Sequence, residues 1–100
     1  MADVLQYLGL ARRAGKLMIG HDAALLSVRK GLAALVVLTE DASPRHKREL
    51  EAAGFRDRTA VIPCNMNATG VATGKKSCIY AVDDGGFAKA ILNTLSKEGN

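Results

Sequence analysis

Hydrophobic and polar positions fall into short blocks whose period switches repeatedly along the chain. The segment LAALVVLTED at 32–41 holds an unbroken apolar run from Ala33 to Leu38. It is too short for a full-length helix and stops at Thr39-Glu40-Asp41, so it reads as a strand covered on both faces. Before it, Val4, Leu5, Leu8 and Ala11 recur at helical spacing, with Asp3 as N-cap and Gly15 as an αL C-cap. Lys16–Ile19 reads as a short strand ending at Gly20. A helix over 21–30 follows, capped by His21 or Asp22, stopped by Gly31, and burying Ala24, Leu25 and Val28. Leu26 falls off that stripe and is expected to be partly exposed.

After the apolar strand, Ser43-Pro44 is a strong helix start, serine at the N-cap and proline at N1. That helix runs to about Ala53 and ends at Gly54, with Phe55 packing back into the core. Thr59–Ile62 is a strand ended by Pro63. CNMNATGVATG at 64–74 reads as a polar loop with one helical turn around Asn67–Val71, its opening residues Cys64, Asn65 and Met66 exposed. Ser77–Val82 alternates as a strand. Asp83-Asp84-Gly85-Gly86 then turns into a last helix capped by Asp84, with Phe87, Ala88, Ile91, Leu92 and Leu95 at helical spacing and a frayed tail at 97–100. Five helices alternate with four strands. The expected fold is α/β: a three-layer α/β/α sandwich with a small four-stranded mixed sheet, as one domain over residues 1–100.

Composition adds a sign of charge. The chain has 100 residues, 48% hydrophobic and 24% charged, with net charge +4, and a sequence pI of about 9.3. This is an ordinary globular balance that hints at an anionic partner. No stretch approaches a membrane span, and the N-terminus lacks the basic-then-apolar pattern of a signal peptide, so a cytoplasmic location is expected. Arg12, Arg13 and Lys16 crowd a helix end where cations suit the dipole, and also form an anion-facing patch. Arg45, His46, Lys47 and Arg48 crowd a helix start, against the dipole. They read first as a solvated face, partly offset by Glu49 and Glu51, and second as a phosphate patch. Gly20 leaves the N–H groups of the next helix open to an anion.

Little here suggests catalysis. Cys64 and Cys78 lack CxxC spacing and HExxH is absent, so no metal site is expected and both thiols read as reduced fillers. A Cys64 nucleophile has no base nearby in sequence. Asp83 and Asp84 fit turn and cap duty better than acid/base or Mg²⁺ chemistry. No GxGxxG, P-loop or triad spacing occurs. The expectation is a non-enzyme with no cofactor and no small-molecule substrate. With two tyrosines and two phenylalanines, stacking capacity for single-stranded nucleic acid is small.

Several stretches together resemble a known family: LGLARRAGKL at 8–17, Gly20 and Gly31 bounding the second helix, and Glu40-Asp41-Ala42-Ser43 after the central strand. Gly70-Val71-Ala72-Thr73-Gly74-Lys75 and Gly86-Phe87-Ala88-Lys89-Ala90-Ile91 continue the match over about nine-tenths of the chain. The sequence is similar to the kink-turn-binding ribosomal protein superfamily, the “seven-Ae/thirty-e” proteins, and within it to the bacterial YlxQ-type branch. The resemblance implies an α/β/α sandwich that binds structured RNA, ribosomal above all, without catalysis. It further implies RNA contacts at the start of the second helix and at the loop after the third strand.

The family's helix start carries glycine, any residue, asparagine, glutamate, two spacers and lysine. Here Gly20 matches, Asp22 takes the asparagine slot, and Ala23 and Leu26 replace glutamate and lysine. The residues expected to hold RNA are therefore Gly20, His21 and Asp22, with Lys16, Arg29 and Lys30 as flanking cations. Cys64, Asn65, Met66 and Asn67 form a second lip, and Lys75 and Lys76 add phosphate contacts. The alternative is a protein-interaction module on the same fold, in which Ala23 and Leu26 form an apolar face for ribosomal or transcription and translation proteins.

Overall fold

Strand Leu35–Leu38 (β2) is buried at every position, which requires a cover on each face. In the computed structural model, which describes the backbone of residues 2–98 and the side chains of residues 4–97, those covers are two layers of helices. The elements are α1 (Ala2–Arg13), β1 (Leu17–Ile19), α2 (His21–Arg29), β2, α3 (Pro44–Ala52), β3 (Thr59–Val61), α4 (Met66–Thr73), β4 (Ile79–Val82) and α5 (Gly85–Glu98). A short 3₁₀ turn, Arg56–Arg58, leads into β3. The sheet order is β1-β4-β2-β3. β4 runs antiparallel to both its neighbours, and β2 pairs in parallel with β3. The mixed four-stranded sheet and five helices match the expected sandwich.

The pleat divides the core in two. Leu35, Val37, Tyr80 and Val82 join Val4, Leu8 and Ala11 of α1 and Ala88 and Ile91 of α5. Val36, Leu38, Ile79 and Ala81 turn the other way, onto Ala24 and Leu25 of α2 and Leu50 of α3. Phe55 packs against this second group, as expected. Alternate residues on β2 and β4 thus serve opposite faces, the period-two rule applied to strands wet on neither side.

Several local expectations change. The helix α1 opens at Ala2, ahead of the expected cap Asp3; the Asp3 side chain, and Gly99 and Asn100 of the expected tail, lie outside the described residues. The helix α5 continues through Lys97 to Glu98. Among the described residues, α2 has no side-chain cap. Gly20 occupies the N-cap with φ 104°, a conformation open to glycine and strained for other residues. On α2 the third buried position is Ser27, whose hydroxyl donates to Asp83, and Val28 is only half-buried. Leu26 is half exposed, as expected, and Leu92 is likewise exposed rather than core.

The largest correction is α4, an eight-residue helix where one turn was expected. Its sequence carries little periodic hydrophobicity, and side-chain hydrogen bonds hold it instead. The Asn65 amide oxygen caps the Ala68 N–H at 2.9 Å. The Thr73 hydroxyl bonds back to the Thr69 carbonyl at 2.8 Å. Tyr80, fully buried, donates to Thr69 Oγ1 at 2.8 Å. The helix lies close against α1: a Cβ added to Gly9 would stand 2.9 Å from the Ala72 carbonyl oxygen.

Candidate nucleic-acid interface

Because β1 and β2 both oppose β4, and β3 parallels β2, three strands end at the same edge of the sheet. Each is followed by a helix. The N-termini of α2, α3 and α4 therefore meet at that edge, as does the start of β4. The backbone ties them together: Gly20 N–H donates to the Ile79 carbonyl at 3.1 Å, Thr39 N–H to Cys78 at 3.0 Å, and Glu40 N–H to Cys64 at 2.9 Å. The Asp41 carboxylate accepts from the Met66 N–H at 3.1 Å. Each of the three helix N-termini brings a positive partial charge to that end of the sheet. Ser43 caps α3 and Asn65 caps α4 through their side chains; α2, behind Gly20, is the one whose first N–H groups face outward without a side-chain cap.

Beside Gly20 sits a charged cluster. His21 reaches Asp22 Oδ1 with Nδ1 at 3.0 Å and Glu49 Oε2 with Nε2 at 3.0 Å. The hydrogen bond to Asp22, then that to Glu49, raises the His21 pKa. The same hydrogen bond from His21 lowers that of Glu49. The His46 ring stands 5.4 Å from the His21 ring, tilted by 48°. Burial, then the neighbouring His21 charge, lowers the His46 pKa. His46 Nε2 lies 3.4 Å from Cys78 Sγ, and Arg45 Nε lies 3.6 Å from Glu49. The His21 ring is thus held by two carboxylates rather than free to turn.

The fold gathers Gly20, His21, Asp22, Asn65, Met66 and Asn67 at one edge, with Asn65 and Asn67 exposed and Met66 half-buried. Cys64 departs from expectation: it is 6% exposed and belongs to the core against α1 and α5, because Ile62-Pro63-Cys64 continues the line of β3 inward. Cys78 faces a histidine, His46. Lys75 and Lys76 are exposed on the segment between α4 and β4, pinned where the Lys75 carbonyl accepts from Thr73 and Tyr80. Lys16, Arg29 and Lys30 lie elsewhere. The Lys16 carbonyl accepts from Asp83 N–H at the far end of β4, and Arg29 and Lys30 close the C-terminal end of α2. Nine residues of helix separate the two ends by about 13 Å. Arg12 is also turned away, donating to the Thr73 carbonyl.

In place of those cations the edge has Arg45, Lys47 and Arg48, all exposed in the first turns of α3. From the sequence they read first as a solvated face. The signal that finds them is topological: a Ser-Pro helix start directly after a strand parallel to β1 must open beside Gly20.

A four-stranded mixed sheet between two helix layers, three strand-then-helix units opening at one edge and a late strand inserted between the first two, places the molecule among the small ribosomal-protein-type α/β/α sandwiches. A family model described as the Ribosomal protein L7Ae/L30e/S12e/Gadd45 family matches residues 2–55, and the chain belongs to that family, in its YlxQ-type branch. It is 33% identical to the RNA-binding protein YlxQ of Bacillus subtilis over 88% of this chain and 90% of that one. It is also 33% identical to the large ribosomal subunit protein eL30 of Spodoptera frugiperda, over 88% and 80%. Among solved structures, a Bacillus halodurans protein of unknown function superposes with a TM-score of 0.84 at 29% identity, over 96% of this chain and 99% of that one. A Giardia lamblia 15.5kD RNA binding protein shares the fold, with a TM-score of 0.76 at 20% identity over 96% and 87%.

Proposed function

We propose that this chain is a non-enzymatic RNA-binding protein that grips folded, kink-turn-like or ribosomal RNA at the edge where α2, α3 and α4 open. The observation that carries the reading is the convergence at one edge of the α2 N-terminus, opened by Gly20, with exposed Asn65 and Asn67 and the exposed cations of α3. Backbone N–H groups and cations hold phosphates, and the asparagine amides meet base edges or riboses. The names of the relatives, YlxQ and the Giardia protein both described as RNA-binding, support the same class.

Within it, Asp22, Ala23 and Leu26 set affinity. Relative to the pattern of the resembling family they remove an amide donor, a carboxylate and a cation. Each lost charged hydrogen bond is worth about 1.5–3 kcal/mol, one to two decades of affinity. The test is a titration against a kink-turn RNA, an unrelated hairpin and ribosomal RNA at two salt concentrations. All folded RNAs bind with salt-sensitive affinity, and the triple change Asp22→Asn, Ala23→Glu, Leu26→Lys strengthens kink-turn binding at least tenfold. Absence of binding to all three RNAs at low salt overturns the proposal. A second reading, a protein-docking face around Leu26, draws on the half exposure of Leu26 and Leu32 beside Met18; salt-insensitive capture of a protein in place of RNA would select it.

A further inference from the structure

The cluster at the base of α2 and α3 has a second chemistry. We infer that His21, His46 and Glu49 form a binding site for a divalent transition-metal ion of the zinc class, a reading that does not depend on RNA binding. A ring nitrogen of each histidine and a Glu49 carboxylate oxygen lie within 4.8 Å of one another. Ligand atoms around a tetrahedral zinc at about 2.0–2.2 Å stand roughly 3.3 Å apart. The trio thus closes on an ion by side-chain movements of about 1.5 Å or less, and the pair His21 Nε2 to Glu49 Oε2, at 3.0 Å, is already there. Two imidazoles and one carboxylate suit zinc and its neighbours better than the oxygen-seeking magnesium or calcium.

Three further observations point the same way. Asp22 can only accept, so the His21 Nδ1 at 3.0 Å must donate to it. Nε2 is thereby turned to the Glu49 carboxylate, so that two of the three ligand atoms already face one another at 3.0 Å. An acidic partner on the outer ring nitrogen is also the arrangement that orients a histidine for metal binding. Finally, His46 Nδ1 is buried with no hydrogen-bond partner among the described residues. His46 and Glu49 stand one turn apart on α3 and so share a face. The fourth coordination position is left to water, with Cys78 outside the trio.

The experiment uses the full chain freed of metal by chelator and dialysis, titrated with Zn²⁺ by calorimetry and with Co²⁺ by visible absorption. We expect one ion per chain at micromolar or tighter affinity, Co²⁺ ligand-field bands without thiolate charge transfer, and a higher melting temperature with Zn²⁺. Glu49→Gln, which keeps the size and a hydrogen bond to His21, weakens binding at least tenfold while the metal-free melting temperature stays near that of the parent. His46→Asn does the same, and Cys78→Ser leaves the affinity within a few-fold. Two results overturn the inference: no saturable binding of either ion, or binding that survives Glu49→Gln and His46→Asn and disappears in Cys78→Ser.

Discussion

Replacing Gly9 with alanine sets two known effects against each other. In an open helix interior the change stabilises by about 1 kcal/mol, because glycine has more backbone freedom to lose. Here the new Cβ would meet the Ala72 carbonyl oxygen at 2.9 Å. That neighbour is backbone in the last turn of α4, not the far end of a flexible side chain, so α1 and α4 must separate. Overpacking of this kind costs about 1–3 kcal/mol. The strain exceeds the propensity gain, and Gly9→Ala is expected to lose about 1 kcal/mol, lowering the melting temperature by about 4–8 °C in a domain of this size. Gly85→Ala is the matched control: Gly85 opens α5 with nothing within 4 Å of an added Cβ, so stability holds or rises slightly. Thermal and urea unfolding followed by circular dichroism reads both. A Gly9→Ala protein as stable as the parent, or more so, would refute the close approach of α1 and α4.

Other expectations concern single hydrogen bonds and charges. Tyr80→Phe removes the hydroxyl that joins Thr69 to the Lys75 carbonyl and should lower stability by about 1 kcal/mol in urea titration. Asn65→Ala uncaps α4, costing about 1 kcal/mol, and hydrogen exchange should quicken within α4 before it does elsewhere. Ser27→Ala strips the half-buried Asp83 carboxylate of its hydroxyl donor and should cost about 1.5 kcal/mol by the same unfolding assay. If Lys75 and Lys76 touch phosphates, changing each to Gln makes the log-affinity against log-salt line shallower by about 0.7–0.9 per contact, whatever the RNA sequence. Unchanged slopes would remove them from the interface.

The fold was largely legible because most elements announce themselves locally. The Ser43-Pro44 start, the Asp84 cap, whose carboxylate accepts from Phe87 N–H at 2.9 Å, and the apolar run of β2 all depend on neighbours in sequence. The helix α4 was hidden because its stability comes from hydroxyls bonded to Tyr80 and to the chain before β4, partners that periodicity does not register. The site was legible in part. Gly20, His21, Asn65 and Asn67 stand at the same end of the sheet because each follows the end of one of its co-directional strands. Lys16, Arg29 and Lys30 are near Gly20 along the chain, but β1 carries Lys16, and α2 carries Arg29 and Lys30, to the other end of the sheet. The meeting of His21 with His46 and Glu49 has no short spacing motif to betray it, since α2 and α3 come together only across one face of the sheet.

The order β1-β4-β2-β3 also sets a timetable. Among the described residues β1 has β4 as its sole partner in the sheet, and β4 is the last of the four strands in chain order. Until residues 79–82 leave the ribosome, β1 has nothing to pair with, and β2 shows its inner edge, rich in Leu and Val, to whatever is near. An emerging chain can build at most the β2–β3 pair, so native structure arrives late and all at once when β4 slots into the gap. Contacts this distant in sequence slow folding, and an open apolar edge invites association in the meantime. Stalled or truncated products ending before β4 should be insoluble and quickly degraded, whereas loss of β3, which borders one strand only, should leave a three-stranded sheet that still closes.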